Sequence, residues 1–130
     1  FKKYIDKALI KKVVIIVRSI YLQGLFFLGL EICKKRIPLA YNPLKKLLEI
    51  TNDYNLSIAE IAVRYIKSID GISSIVMGMD NVKQLNENVA LLNMPCLDPN
   101  LKYELDNIFK DIPNEVLDPS QWEYNKGDNV

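Results

Sequence analysis

The sequence contains no histidine. That excludes imidazole acid–base chemistry and any zinc site built on histidine ligands. Cysteine is scarce, with 2 in 130 residues, Cys33 and Cys96. They stand far apart and match no metal-binding spacing. Two free thiols suit a reducing cytoplasm better than a secreted scaffold. An excess of either charge is also missing. The chain has 17 Lys and Arg against 16 Asp and Glu, a formal net charge of +1. Nothing in that balance favours nucleic acid as a partner. The early lysines (Lys2, Lys3, Lys7, Lys11, Lys12) read as the solvated face of a helix. A long unbroken apolar run is absent. The longest stretch, Val13 to Leu30, is interrupted by Arg18 and Gln23 and contains Gly24 and Gly29. A membrane span would place Arg18 in hydrocarbon at a cost of at least about 2.5 kcal/mol. A buried strand followed by a loop is the expectation, with no membrane partner. An initiator Met and a signal-peptide pattern are lacking too, which suggests a piece of a longer chain.

What is present can build a core. Hydrophobic residues make up 49% and charged residues 25%, as in an ordinary soluble domain. Phe1, Tyr4, Ile5, Ala8 and Leu9 recur at helical spacing, so a helix runs to about Lys12. Val13 to Val17 is β-branched without alternation, which predicts a strand covered on both faces. Leu22 to Pro38 is irregular, with a short helix near Glu31 to Arg36 and Cys33 open to solvent. Asn42-Pro43 predicts a helix start with Asn42 as N-cap, running through Leu44, Leu47, Leu48 and Ile50 towards Tyr54. Ser57-Ile58-Ala59-Glu60 is a capping box. The helix it opens carries Ile58, Ile61, Ala62, Tyr65 and Ile66 on one face and stops at Asp70-Gly71. Ile72 to Met77 is a second buried strand, and Gly78 to Asn81 a loop. Val82 to Leu92 is a helix capped by Asp80 or Asn81, and Asp98-Pro99 starts another reaching about Phe109. The tail from Asp111 is expected to wrap the surface.

Strands alternating with helices imply an α/β fold with a parallel sheet. Two parallel strands cannot close a sheet or hide their own edges. The sequence therefore describes part of a larger object. Its most informative window is Ser74 to Asn88: a strand, a glycine-containing turn and a capped helix. A helix start offers unpaired amides and a positive dipole end, which suit phosphate. Gly78 lets a ligand approach the backbone. Gln84, Glu87 and Asn88 share a helix face and have the groups to bond a sugar and a purine edge. By spacing alone, Asn81-x-x-Gln84 is equally an ordinary capping box.

Gly78-Met79-Asp80-Asn81-Val82-Lys83-Gln84-Leu85-Asn86-Glu87-Asn88 resembles the eighth-strand cofactor motif of the aldo-keto reductases. Arg18-Ser19-Ile20-Tyr21-Leu22-Gln23-Gly24-Leu25 resembles the family's seventh-strand segment. Asn55 to Ala62 is similar to its seventh helix, and Asp118-Pro119-Ser120-Gln121-Trp122 to a related ending. The resemblance implies the C-terminal part of a (β/α)8 TIM barrel over residues 1–122, holding the last two parallel strands with their helices. Residues 123–130 are then a tail.

The resemblance also implies a cofactor, NADP, with NAD as the alternative. Gly78, Met79 and Gln84 would meet the 2′-phosphate or ribose, and Glu87 and Asn88 the adenine. Tyr21, Leu22, Gln23 and Gly24 would run along the pyrophosphate, with Ser19 near it. Arg18 stands where many members stack an aromatic ring on the nicotinamide, and a planar guanidinium can stack as well. Its alternative role is an ion pair with an upstream carboxylate. Many members carry Lys and Arg where this chain has Gly78 and Gln84. Two charges that favour a 2′-phosphate are thus missing, and Lys83 is a candidate substitute.

The family's Asp, Tyr, Lys and His catalytic set lies on the first four strands, so this chain is expected to lack it. No residue here is assigned to catalysis or to a metal. The chain alone should be inactive, while the full-length enzyme would reduce aldehydes or ketones to alcohols in the cytoplasm. A different class of function, a non-catalytic cofactor-binding sensor or regulatory subunit, would share this region. An intact upstream catalytic set separates the two. Of the remaining residues, Tyr65 is expected in the core, Met79 towards the ligand, and Trp122 as an anchor for the tail.

Overall fold

The structure, a computed structural model, describes residues 2–122. Phe1, Tyr124 and the expected 123–130 tail lie outside the described residues. In chain order the elements are α1 (Lys2–Ile10), β1 (Ile15–Arg18), a 3-10 stretch (Leu22–Phe27), α2 (Leu30–Arg36) and a 3-10 turn (Pro38–Ala40). Then come α3 (Tyr41–Tyr54), α4 (Ile58–Lys67), β2 (Ile72–Val76), α5 (Val82–Asn93), α6 (Pro99–Ile108), α7 (Asn114–Leu117) and a 3-10 turn (Pro119–Gln121). The fold is α/β, and β1 and β2 pair in parallel. Ile16 stands in register with Ser74, Val17 with Ile75 and Arg18 with Val76, after an irregularity between Ile15 and Ile16.

The chain divides into two compact units. One comprises Phe1–Ile20 and Ala59–Lys102, the other Tyr21–Ile58 and Tyr103–Val130. The first holds the sheet. Its buried apolar side chains are Ile5, Ile61, Ala62, Val63, Leu91, Leu97 and Leu101. Val63, not singled out by the helical pattern, is the deepest at 0% exposure. The strands differ from expectation. They are not covered on both faces: Ile16 is 59% exposed and Val76 55%. Ile16, Arg18, Ser74 and Val76 share one face by register, and all four are exposed. A β-branched run predicts burial only where a second layer exists, and this unit supplies none over that face. Helix α1 shows the same shortfall, with Ile5 buried but Tyr4 and Leu9 exposed. The turn into β2 admits only glycine. Gly71 sits at φ +91, and a Cβ there would lie 2.7 Å from a Leu9 side-chain carbon.

The second unit is built differently. Leu25, Cys33, Ile37, Ala40, Leu44, Val116 and Trp122 form one buried cluster. Leu22, Leu28, Leu30, Leu48 and Ile112 pack against it. Fully burying an aliphatic side chain contributes about 1.5–3 kcal/mol, so this cluster outweighs any single hydrogen bond. Two expectations are corrected here. Cys33 is at 0% exposure inside α2, because one side of that short helix faces the cluster. Burial pushes its thiol pKa up, which makes it a poor nucleophile at neutral pH. The tail past Asp111 does more than wrap the surface, since Val116 and Trp122 belong to the core. Trp122 Nε1 donates to Glu115 O at 3.1 Å, the anchor role expected of it.

Helix α3 starts one residue before the expected N-cap, at Tyr41. The preceding 3-10 turn already curls the chain, so Asn42 is not needed as a cap. Pro43 still falls in the first turn, where a missing N–H costs nothing. The helix ends on Asn55 at φ +50, whose N–H bonds the Thr51 and Asn52 carbonyls.

Candidate functional site

The strand–turn–helix of the first unit is held by its own polar groups. Asn81 is extended, and its Oδ1 accepts a hydrogen bond from Gln84 N at 2.9 Å. In return, Gln84 Oε1 accepts from Asp80 N at 2.7 Å. The first bond is the N-cap half of a capping box, while the second reaches back one residue beyond the N-cap, to Asp80, so the structural alternative for Asn81 and Gln84 is present in a shifted form. Asn88 is buried, and its Nδ2 donates to Gly78 O at 3.4 Å. Gln84 and Asn88 therefore brace the turn backbone, while Glu87 turns to solvent opposite Lys83 at 3.9 Å.

This bracing leaves one side of the turn open. A Cβ built at Gly78 would meet nothing within 4 Å, so packing within the protein does not explain the glycine. Met79 beside it is 44% exposed. Helix α5 begins at Val82, and its first backbone bond runs from Leu85 N to Asn81 O at 3.1 Å. The amides of Val82 and Lys83 precede that bond at the exposed, positive end of the helix dipole. An open glycine, leading amides and fixed side-chain amides can receive a polar, anionic ligand.

Arg18 ends β1, exposed and in register with Val76, two residues before Gly78. Ser19 follows in the left-handed region at φ +57. These residues, with Gly78, Met79, Gln84, Glu87 and Asn88, belong to the first unit. Tyr21, Leu22, Gln23 and Gly24 belong to the second.

There the backbone is strained. Leu22, Gln23 and Gly24 are consecutively left-handed, at φ +48, +50 and +84. Each non-glycine residue in that region costs about 1–2 kcal/mol, and such strain concentrates at functional sites. A Cβ at Gly24 would meet nothing within 4 Å, so the positive φ alone calls for glycine there. The turn closes through Gly24 N donating to Tyr21 O at 3.0 Å. The Tyr21 ring meets Phe27 edge-on, with centroids 5.1 Å apart. Burial pushes its phenol pKa up, so it remains a hydrogen-bond donor at neutral pH.

Sequence reasoning missed the residues that fix the far end of α5. Lys67 Nζ donates to Leu92 O at 2.6 Å and to Met94 O. Arg64 reaches Pro95 O at 3.1 Å through Nε and Cys96 O at 3.4 Å through Nη2. Of these two cations, three residues apart on α4, Lys67 meets the negative end of the α5 dipole and Arg64 holds the segment that follows it. Their spacing was the available signal. Tyr65 on the same helix is only half-buried, with Lys102 Nζ 5.2 Å from its ring centroid.

Among the described residues, no three His, Cys, Asp or Glu side chains are grouped to hold a metal ion. No helix among them is long and apolar enough to cross a membrane. No solved structure matches the chain. The family model for the Aldo/keto reductase family matches residues 7–108, from α1 to the end of α6. That span covers most of the 130 residues and both segments with open glycine turns, so the chain belongs to the aldo/keto reductase family of oxidoreductases.

Proposed function

We propose that this chain is the C-terminal, cofactor-binding portion of a nicotinamide-dependent aldo/keto reductase acting on aldehydes or ketones in the cytoplasm. The observation that carries this reading is the turn into α5, with open space over Gly78 and exposed leading amides. Gly78, Met79 and the α5 start would hold the adenosine end, with Gln84 and Asn88 fixing the turn and Glu87 at the adenine. Arg18 and Ser19 would serve the pyrophosphate and nicotinamide ends. The bound dinucleotide supplies the hydride, and the residues of this chain position it. The uncovered face of β1 and β2 supports a place in a larger barrel, because parallel strands are normally covered on both faces. The catalytic carboxylate, phenol, ammonium and imidazole would then come from other strands, and this portion alone would not turn over.

The test is a cofactor titration of the full-length protein carrying Gln84→Ala or Asn88→Ala. Each change removes one brace of the turn, so affinity should fall roughly threefold to tenfold. Unchanged titrations for both variants would remove the assignment.

A further inference from the structure

The described side chains around the α5 turn carry an excess of negative charge. From Gly78 to Asn88 the only ionisable residues are Asp80, Lys83 and Glu87, which sum to −1. Lys83 faces Glu87 at 3.9 Å, and both are well exposed. Such a pair is weak, so Lys83 is free to swing. Swinging leaves Glu87 uncompensated and the local sum unchanged. Gln84 brings no charge, and its Oε1 is already taken by the Asp80 amide. That bond fixes the Asp80 backbone two residues past the open glycine, with the residue exposed. None of the described cations pairs with its carboxylate within 4 Å. Arg18 sits in register with Val76, before the turn, and would serve phosphates common to both dinucleotides.

NAD and NADP differ by one phosphate on the adenosine ribose. That phosphate carries about −1.5 to −2 charge at pH 7. The leading amides of α5 offset roughly half a charge. A turn summing to −1 does not compensate the rest. A carboxylate beside a ribose instead accepts hydrogen bonds from free hydroxyls. Resting on the cofactor reading above, we infer that this site prefers NAD(H) over NADP(H), with Asp80 as the residue that sets the preference.

Direct titration of the full-length protein with NADH and with NADPH, followed by nicotinamide fluorescence, tests this. NADH should bind on the order of tenfold tighter at low salt, and the gap should shrink as salt screens the repulsion. Asp80→Asn should raise NADPH affinity severalfold and lower NADH affinity, because the charge-assisted bond to the ribose hydroxyls is lost, so the ratio narrows from both sides. Asp80→Lys should bring the two forms level or invert them. The bond to Gln84 uses the backbone amide of residue 80, so neither change removes it. NADPH binding as tightly as NADH, or a ratio indifferent to residue 80, overturns the preference and leaves the site standing. Binding of neither form overturns the site and the preference together.

Discussion

In the unit of Tyr21–Ile58 and Tyr103–Val130, Cys33, Ala40, Leu44 and Val116 are each at most 3% exposed. In the other unit, Val14 is 68% exposed, Ile16 59% and Val82 71%. Both units have apolar residues in the right periodicity. They differ in whether a second layer arrives to meet them. The helix-and-turn unit folds its tail back and fills its own centre with Trp122. The sheet-bearing unit leaves a face of β1 and β2 bare, and α5 displays Val82, Leu85, Val89 and Leu92 as a stripe. Apolar surface in rows, unlike single exposed residues, marks a place where something else packs. The contrast also separates roles. One unit is stabilised from within, while the other holds the open turn with the exposed leading amides.

The largest test of that contrast compares truncations. Leu44→Ala in the full-length protein should cost about 2–5 kcal/mol, as for a buried leucine that leaves a cavity. Ile16→Ala would cost under about 1 kcal/mol if the β1 face is as bare in the full-length protein, and about 2–5 kcal/mol if a further layer covers it. Chemical denaturation reads both values, and a small loss at Leu44 would break the comparison. A smaller effect is expected at the brace of α5. Lys67→Met removes the cation from two carbonyls and should cost about 1–2 kcal/mol. Faster amide exchange over Leu91–Leu97 would accompany it, and unaltered exchange there would deny the brace its role.

The smallest effect concerns the end of the self-sufficient unit. Gln121 Nε2 and then the Ser120 hydroxyl and amide hold the Asp118 carboxyl below its ordinary pKa. A lowered folded pKa means stability that is full above the unfolded value and lost as pH falls through the folded one. Acidification below the usual carboxylate range should therefore loosen the Pro119–Gln121 turn, and Trp122 fluorescence should report it. Asp118→Asn should flatten that response.

Local chemistry was legible in the sequence, and long-range packing was not. The cap expected on Asp80 or Asn81, found on Asn81, and the two strands follow from neighbours within four residues, and all are present, while α4 ends at Lys67, short of the expected Asp70-Gly71 stop. The burial of Cys33 depends on Val116 and Trp122, more than eighty positions away, which no local pattern encodes. The strand faces failed for the converse reason: the β-branched run reports what the strand expects to meet, not what this chain supplies. At the candidate site, residue types were legible through motif order. Their hydrogen bonding was not, because Gln84 and Asn88 have chemistry equally suited to a ligand and to the turn they brace.

The parallel pairing of β1 with β2 bears on how the molecule assembles. Ile15 N meets Ser73 Oγ across a sequence separation of 58, so no hairpin can seed the sheet. Closing a loop of that length is entropically costly and slow. The intervening segment Tyr21–Ile58 contributes most of a core of its own, and its early collapse would shorten the span left to search. On that order of events the polypeptide would commit first to its scaffold, and last to the strands that lead into the open turns.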